Sequence, residues 1–110
     1  MLSEQQRAIV GRAVELLETE GWCQYHWERE TRRGTIERCL GGSLFKALQD
    51  LHAPLGVPER DLDYYSEIVS ALRSNLREKG WPMSYLSWND APGRTKEEVL
   101  DLLRSVLEDR

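Results

Sequence analysis

Residues 3–21, SEQQRAIVGRAVELLETEG, decide the fold class. Ser3 followed three positions later by Gln6 has the form of a capping box, in which each side chain satisfies the other residue's backbone amide. Ile9, Val10, Ala13, Leu16 and Leu17 then recur at the three- and four-residue spacing that lines one helical face, and Gly21 supplies a stop. A helix from Glu4 to Glu20 with so marked an apolar face must be covered by other amphipathic elements, and the chain offers three more. Thr35 is positioned to cap a second helix with the stripe Ile36, Cys39, Leu40, Leu44, Ala47, Leu48 and Leu51. Asp61 or Asp63 can cap a third, whose stripe is Leu62, Tyr65, Ile68, Val69, Leu72 and Leu76 and which ends by Gly80. Thr95 and Glu98 form another capping box ahead of Val99, Leu100, Leu103, Val106 and Leu107.

The stretches between these helices differ in kind. Pro54, Gly56 and Pro58 punctuate a connection from His52 to about Arg60, the best place for a link between two halves. Trp22 to Arg33 is aromatic and polar without helical period, and its Thr-Arg-Arg-Gly end reads as a turn. Trp81 to Pro92 is again aromatic and irregular, with Asn89 and Asp90 offering side-chain turns. The chain therefore reads as mainly α, four helices in two αα-hairpins, with a short β-hairpin or an irregular aromatic loop after the first helix. Gly41 and Gly42 inside the second helix cost roughly 1 kcal/mol each relative to alanine, so either a break in the helix or a close backbone contact is expected there, with close packing against a neighbouring helix or aromatic ring the preferred reading.

The halves, about 1–53 and 59–110 of a single domain, also resemble each other. Ile9-Val10, Leu17, Gly21-Trp22, Thr35, Glu37 and Cys39-Leu40 align with Ile68-Val69, Leu76, Gly80-Trp81, Thr95, Glu97 and Val99-Leu100, the pattern of a pseudo-repeat.

At 110 residues the chain can bury one core without disulfide or metal, and 31% charged residues beside 40% hydrophobic ones is globular composition. The net charge of -4 gives no global attraction to phosphate backbones or anionic membranes. The most basic stretch, Arg29 to Arg38, holds Arg29, Arg32, Arg33 and Arg38 with Glu28, Glu30 and Glu37 interleaved, so it reads as a solvated turn before it reads as a nucleic-acid arm. No run nears the roughly 20 apolar residues of a membrane span, and the first residues form a charged amphipathic helix rather than a signal peptide. A cytoplasmic protein, monomeric or a small homo-oligomer, is expected, with Cys23 and Cys39 as thiols.

Three constellations could carry chemistry. Cys23, His26 and Cys39 mimic part of a zinc set, but His52 would stand about 20 Å from Cys39 along an unbroken helix. Cys23 with His26 as a nucleophile and base would need an oriented imidazole, whereas two residues three apart on an extended segment point to opposite faces. Asn89, Asp90, Arg94 and Thr95 gather polar groups at a helix start and could line a ligand pocket or hold an anion; as plain structure, Asn89 and Asp90 make a turn, Thr95 caps the helix and Trp88 closes the core edge. No nucleophile elbow, phosphate loop, dinucleotide fingerprint or zinc-helix motif is present, so no cofactor is expected and binding is favoured over catalysis. Aromatic residues crowd both irregular stretches, and Tyr25 and Trp27, flanked by charges, look more exposed than a core allows. A surface formed by Trp22, Tyr25, His26, Trp27 and Arg29 is the expected site for a protein partner.

Gly21-Trp22-Cys23-Gln24, Cys39-Leu40-Gly41-Gly42-Ser43-Leu44 and Trp88-Asn89-Asp90-Ala91-Pro92-Gly93-Arg94-Thr95 with Glu97-Glu98-Val99-Leu100 together resemble an uncharacterised family of small proteins of actinobacteria and their phages, classed as a domain of unknown function. The chain departs from it at Leu40 to Leu44, where members commonly carry a Leu-Gly-Ala-Leu type helix, and in its shorter segment from Glu30 to Arg38. The resemblance implies a bacterial or phage-encoded cytoplasmic protein and brings with it no activity, substrate or catalytic residue.

Overall fold

The capping box at Ser3 forms as the sequence dictates, the Ser3 hydroxyl accepting the Gln6 amide at 3.1 Å and the Gln6 side chain accepting the Ser3 amide at 2.8 Å. Helix α1 (Glu4–Thr19) starts there, and its face of Ile9, Val10, Ala13, Leu16 and Leu17 is buried. Each large side chain removed from water in this way contributes roughly 1.5–3 kcal/mol before the entropy of ordering it is counted. The computed structural model describes residues 2–57, 62–81 and 83–108.

Beyond α1 the elements are β1 (Glu28–Glu30), β2 (Ile36–Arg38), α2 (Leu40–Leu55), α3 (Leu62–Glu78), α4 (Tyr85–Asn89) and α5 (Lys96–Glu108). The protein is mainly α with a small antiparallel hairpin after the first helix. Helix α1 is central, packing chiefly on α2 and α5; α3 lies against α5, and short α4 bridges α2 and α3. Their buried faces merge into one core that includes Leu40, Leu44, Ala47 and Leu48 of α2, Ile68, Leu72 and Leu76 of α3, and Val99, Leu102, Leu103 and Val106 of α5.

The second helix begins later than the apolar periodicity predicts. Thr35 does not cap it and Ile36 is not on its stripe; residues 36–38 are β2, and the cap is Cys39, whose sulfur accepts the Gly42 amide at 3.3 Å. The hairpin wins because it satisfies backbone that a longer helix would leave open. Glu28 pairs with Arg38, Arg29 with Glu37 and Glu30 with Ile36. On the other edge of β2, Cys23 donates to the Arg38 carbonyl and Arg38 to that of Gly21, so both sides of the strand are used. The interleaved charges become cross-strand partners of opposite sign, a pairing that period counting in sequence cannot see. Thr31 to Gly34 makes the expected turn, with Gly34 donating to Thr31 and Thr31 to Thr35.

Pro54 lies inside α2 rather than in a linker. A proline there removes one bond, the one its amide would give the Asp50 carbonyl, and its ring crowds that carbonyl, so the helix ends within two residues of it. Closure comes at Gly56, at φ 70°, where Gly56 donates to Ala53 and Val57 to His52. Residues 58–60 of the expected link, and Asp61, lie outside the described residues; Asp63 is within α3 and does not cap it. The irregular segment after α3 contains α4, capped by the Ser84 hydroxyl at the Ser87 amide. Among the described residues, no helix is long and apolar enough to cross a membrane.

Candidate functional site

Both aromatic stretches meet at one end of the bundle, joined by Asn89. This side chain is 1% exposed and fully engaged. Its Oδ1 accepts the Trp22 indole Nε1 at 2.8 Å and the Leu40 amide, the first of α2, at 3.0 Å. Its Nδ2 donates to the Cys23 carbonyl at 3.4 Å and to Asp90 Oδ1 at 3.0 Å. Gln24 adds donations to the Asn89 and Ala91 carbonyls. Asn89 thus clamps the end of the first stretch, the start of α2 and the end of α4, and its hydrogen-bonding capacity is spent on the protein itself.

Its neighbour Asp90 is placed differently. Asp90 Oδ1 accepts the Tyr25 amide at 2.9 Å as well as Asn89 Nδ2, while Oδ2 has no partner among the described residues. No described ion pair includes this carboxylate. It opens on a cleft of about 120 Å³ formed by Tyr25, His26 and Trp27 from the first stretch and Leu86, Asn89 and Asp90 from the second, with Cys39 between them. Tyr25 is held here at φ 70°, unusual for a bulky residue, with its side chain 67% exposed. Left-handed backbone costs roughly 1–2 kcal/mol in a residue that carries a Cβ, and the bond to Asp90 helps to keep it there.

Trp27 carries the surface onward. Its ring meets that of Phe45 edge to face with centroids 5.6 Å apart, and Phe45 lies 5.2 Å from Tyr65, whose hydroxyl is 3.2 Å from that of Tyr85. Burial, then the Tyr85 bond, raises the Tyr65 pKa, so it is a neutral phenol at any ordinary pH. Trp27 and Phe45 are 48% and 46% exposed. The glycine pair is explained at this point: a Cβ on Gly41 would stand 2.5 Å from the Trp27 ring, and one on Gly42 would strike the Trp27 carbonyl oxygen. The expected close approach to an aromatic ring is what the two glycines provide.

The remaining candidates serve the fold. Trp22 is half-buried against the core and bonded to Asn89, so its ring is turned inward from the expected surface. Arg29 is outside the cleft and pairs with Glu37 at 2.5 Å. Arg38, 5% exposed, lies 3.2 Å from Glu20 and 3.6 Å from Glu28, at ion-pair distance but without hydrogen-bond alignment. Of the four arginines in the basic stretch, Arg32 and Arg33 alone remain, exposed at the hairpin turn, too few for a backbone-tracking arm. Arg94 is turned away from the cleft: its guanidinium carbon sits 4.0 Å from the Trp88 ring centre and 5.0 Å from that of Trp81, and it binds the Trp88 carbonyl and Glu98. Thr95 caps α5 in a capping box with Glu98. The polar set Asn89, Asp90, Arg94, Thr95 is therefore split, and only its first two members line the cleft.

The cysteines form no catalytic pair. The Cys23 sulfur faces the His26 carbonyl at 3.4 Å, not the imidazole. Burial, then the neighbouring Cys39, pushes its pKa up to about 11; burial likewise raises that of Cys39 despite the Gly42 and Gly41 amides beside it. Both are thiols near neutrality, when it is the thiolate that attacks. Among the described residues, no three His, Cys, Asp or Glu side chains gather as a metal site, so Cys23, His26 and Cys39 are not brought together as ligands.

Phe45 and Leu86 escape a reading by motif, and Gln24 enters one only as part of the Gly21 to Gln24 motif, without its role of bonding the Asn89 and Ala91 carbonyls. Phe45 had one available signal, a large aromatic standing off the apolar stripe of its helix. The chain belongs to DUF6197, a family of unknown function whose model matches residues 1–109. No curated protein and no solved structure matches it.

Proposed function

Starting from a family that carries no assigned activity, we propose that the protein is a small binding module that docks another protein through the surface of Tyr25, Trp27 and Phe45 around the His26–Asp90 cleft. One observation carries this reading: three large aromatic rings, Tyr25, Trp27 and Phe45, are each about half exposed or more and adjacent on one end of the bundle, while among the other described large apolar side chains Trp81 alone is as open as 40%. Rigid aromatic side chains offer much contact area at little entropic cost and dominate the energetics of protein interfaces. Glycines at 41 and 42 let Trp27 pack closely on α2, and the bond to Asp90 supports the left-handed backbone of Tyr25, arrangements that favour a preformed surface. A bacterial or phage-encoded cytoplasmic protein acting on a host or phage regulatory target fits this reading.

The test is affinity capture with the tagged wild type, the Tyr25→Ala, Trp27→Ala double variant and a Trp81→Ala control, which removes an exposed ring from elsewhere. A protein retained by wild type and control and lost from a double variant that keeps its helical circular dichroism supports the reading. Equal capture by all three removes it.

A further inference from the structure

We propose that the cleft receives the guanidinium of an arginine side chain presented by the partner protein. The inference rests on the protein-docking reading and names the chemistry of its centre. Asp90 is a carboxylate with one oxygen committed to the Tyr25 amide and Asn89, and the other without a partner among the described residues. Arg29 and Arg94 are paired with Glu37 and Glu98, and among the described residues no lysine or arginine is paired with Asp90, whose carboxylate shares the cleft with His26.

The rest of the lining suits the same guest. Tyr25 and Trp27 supply aromatic rings, whose negative faces attract cations, with indole the strongest of them. A planar guanidinium stacks on such rings while its edge donates to a carboxylate, which a compact ammonium does less well. A cleft of about 120 Å³ accommodates a side-chain head group and not a whole cofactor. The protein already holds one guanidinium this way, with Arg94 over Trp88 and Trp81 and its edge on Glu98. A free small cation would leave Trp27 and Phe45 largely uncovered, whereas an arginine flanked by apolar residues covers both.

The experiment follows the Trp27 indole and Tyr25 amide signals by NMR at pH 8 during titration with the peptide Ac-Gly-Leu-Arg-Leu-Gly-amide, its citrulline twin, and methylguanidinium. Saturable shifts with the arginine peptide, markedly weaker ones with citrulline and methylguanidinium, and a loss of about tenfold in affinity for Asp90→Asn support the proposal, tenfold being the worth of one charge-assisted contact. Asn at position 90 can still accept the Tyr25 amide, and an unchanged melting temperature confirms that only the charge was removed. Equal binding of the citrulline peptide, undiminished binding by Asp90→Asn, or no saturable shift below about 10 mM overturns it. Methylguanidinium binding as tightly as the peptide also overturns it, in favour of a free small cation. If a captured protein depends on Tyr25 and Trp27 but binds Asp90→Asn as well as wild type, the arginine proposal fails and the docking surface stands; if capture is indifferent to all three positions, both fall.

Discussion

The two aromatic stretches start from similar material and end in opposite states. The first, from Trp22 to Arg33, leaves Tyr25 67% and Trp27 48% exposed; the second, from Trp81 to Pro92, buries Trp88 to 4% and Asn89 to 1%. Aromatic content does not decide the outcome. What differs is where each stretch finds partners for its backbone. The second folds into α4 and satisfies much of its own, which frees the Asn89 side chain to serve the first. The first, leading from Trp22 into β1, is held from outside by Asn89, Asp90 and the edge of β2. Trp88 turns inward from a segment that satisfies itself, and Trp22 does so through its bond to Asn89, whereas Tyr25 and Trp27 stand outward on a borrowed support; Trp81, ahead of α4, is 40% exposed.

The strongest way to break this arrangement is Asn89→Ala. The Trp22 indole and the Leu40 amide lose their acceptor in a buried setting, and an unmet buried donor costs about 1–3 kcal/mol. We expect a loss of roughly 3 kcal/mol in urea unfolding, with the first stretch loosening while α5 stays protected in hydrogen exchange. Equal loss of protection in both regions would mean that the second stretch leans on the first as well.

Next in size is Gly42→Ala. An added methyl meets the Trp27 carbonyl, a backbone atom that accepts from Cys39 and cannot simply rotate away. A cost of about 2 kcal/mol, within the range for overpacking, is expected, with the Trp27 indole signal displaced in NMR. The contrast is Gly11→Ala, where nothing lies within 4 Å of the new Cβ; relief of a mid-helix glycine raises stability by about 0.5–1 kcal/mol.

The second stretch can be probed through its closing cap. Burial raises the Glu98 pKa, but bonds from the Thr95 amide and hydroxyl and then Arg94 outweigh it, so the net direction is down. A carboxylate with a depressed folded pKa adds stability above its unfolded value, near 4.3, and loses it as pH falls through the folded value. Thr95→Ala should cost about 1 kcal/mol at neutral pH and flatten the acid side of the stability profile, as read from melting temperature between pH 7 and pH 3. An acid limb as steep as the wild type's would show that the hydroxyl contributes nothing to Glu98.

These partners explain what the sequence could and could not disclose. The four long helices were legible because their apolar spacing and their caps at Ser3 and Thr95 are local signals, and the Gly41-Gly42 pair announced a close approach. The start of α2 was misplaced because Ile36 and Cys39 fit its stripe, while the strand that claims residues 36–38 is stabilised by Glu28 and Gly21, too distant for any window of periodicity. Short α4 was hidden by the flanking prolines and by its length. At the site, Tyr25, Trp27 and Asp90 were visible as exposed-looking aromatics and a turn acid. That Trp22 turns inward, that Arg94 is sandwiched and that Phe45 joins the surface depend on contacts between segments, which composition does not encode.

The smallest expected effect is the one that separates stability from binding. At Tyr25 the left-handed backbone strains any residue with a Cβ, and the ring itself is mostly in water. Tyr25→Gly removes the strain at little loss of buried surface, against the greater freedom glycine has in the unfolded chain. The two terms leave a gain of at most about 1 kcal/mol, visible as a small rise in the urea midpoint. A surface assembled for a partner should then show opposite signs in two assays on one variant: firmer folding and weaker capture. Strain kept at a position that glycine would relieve is what a ring selected for an outside contact predicts, and the pair of assays tests that expectation. A Tyr25→Gly variant that is less stable than wild type would show instead that the ring supports the first stretch from within, and would move the centre of the docking surface to Trp27 and Phe45.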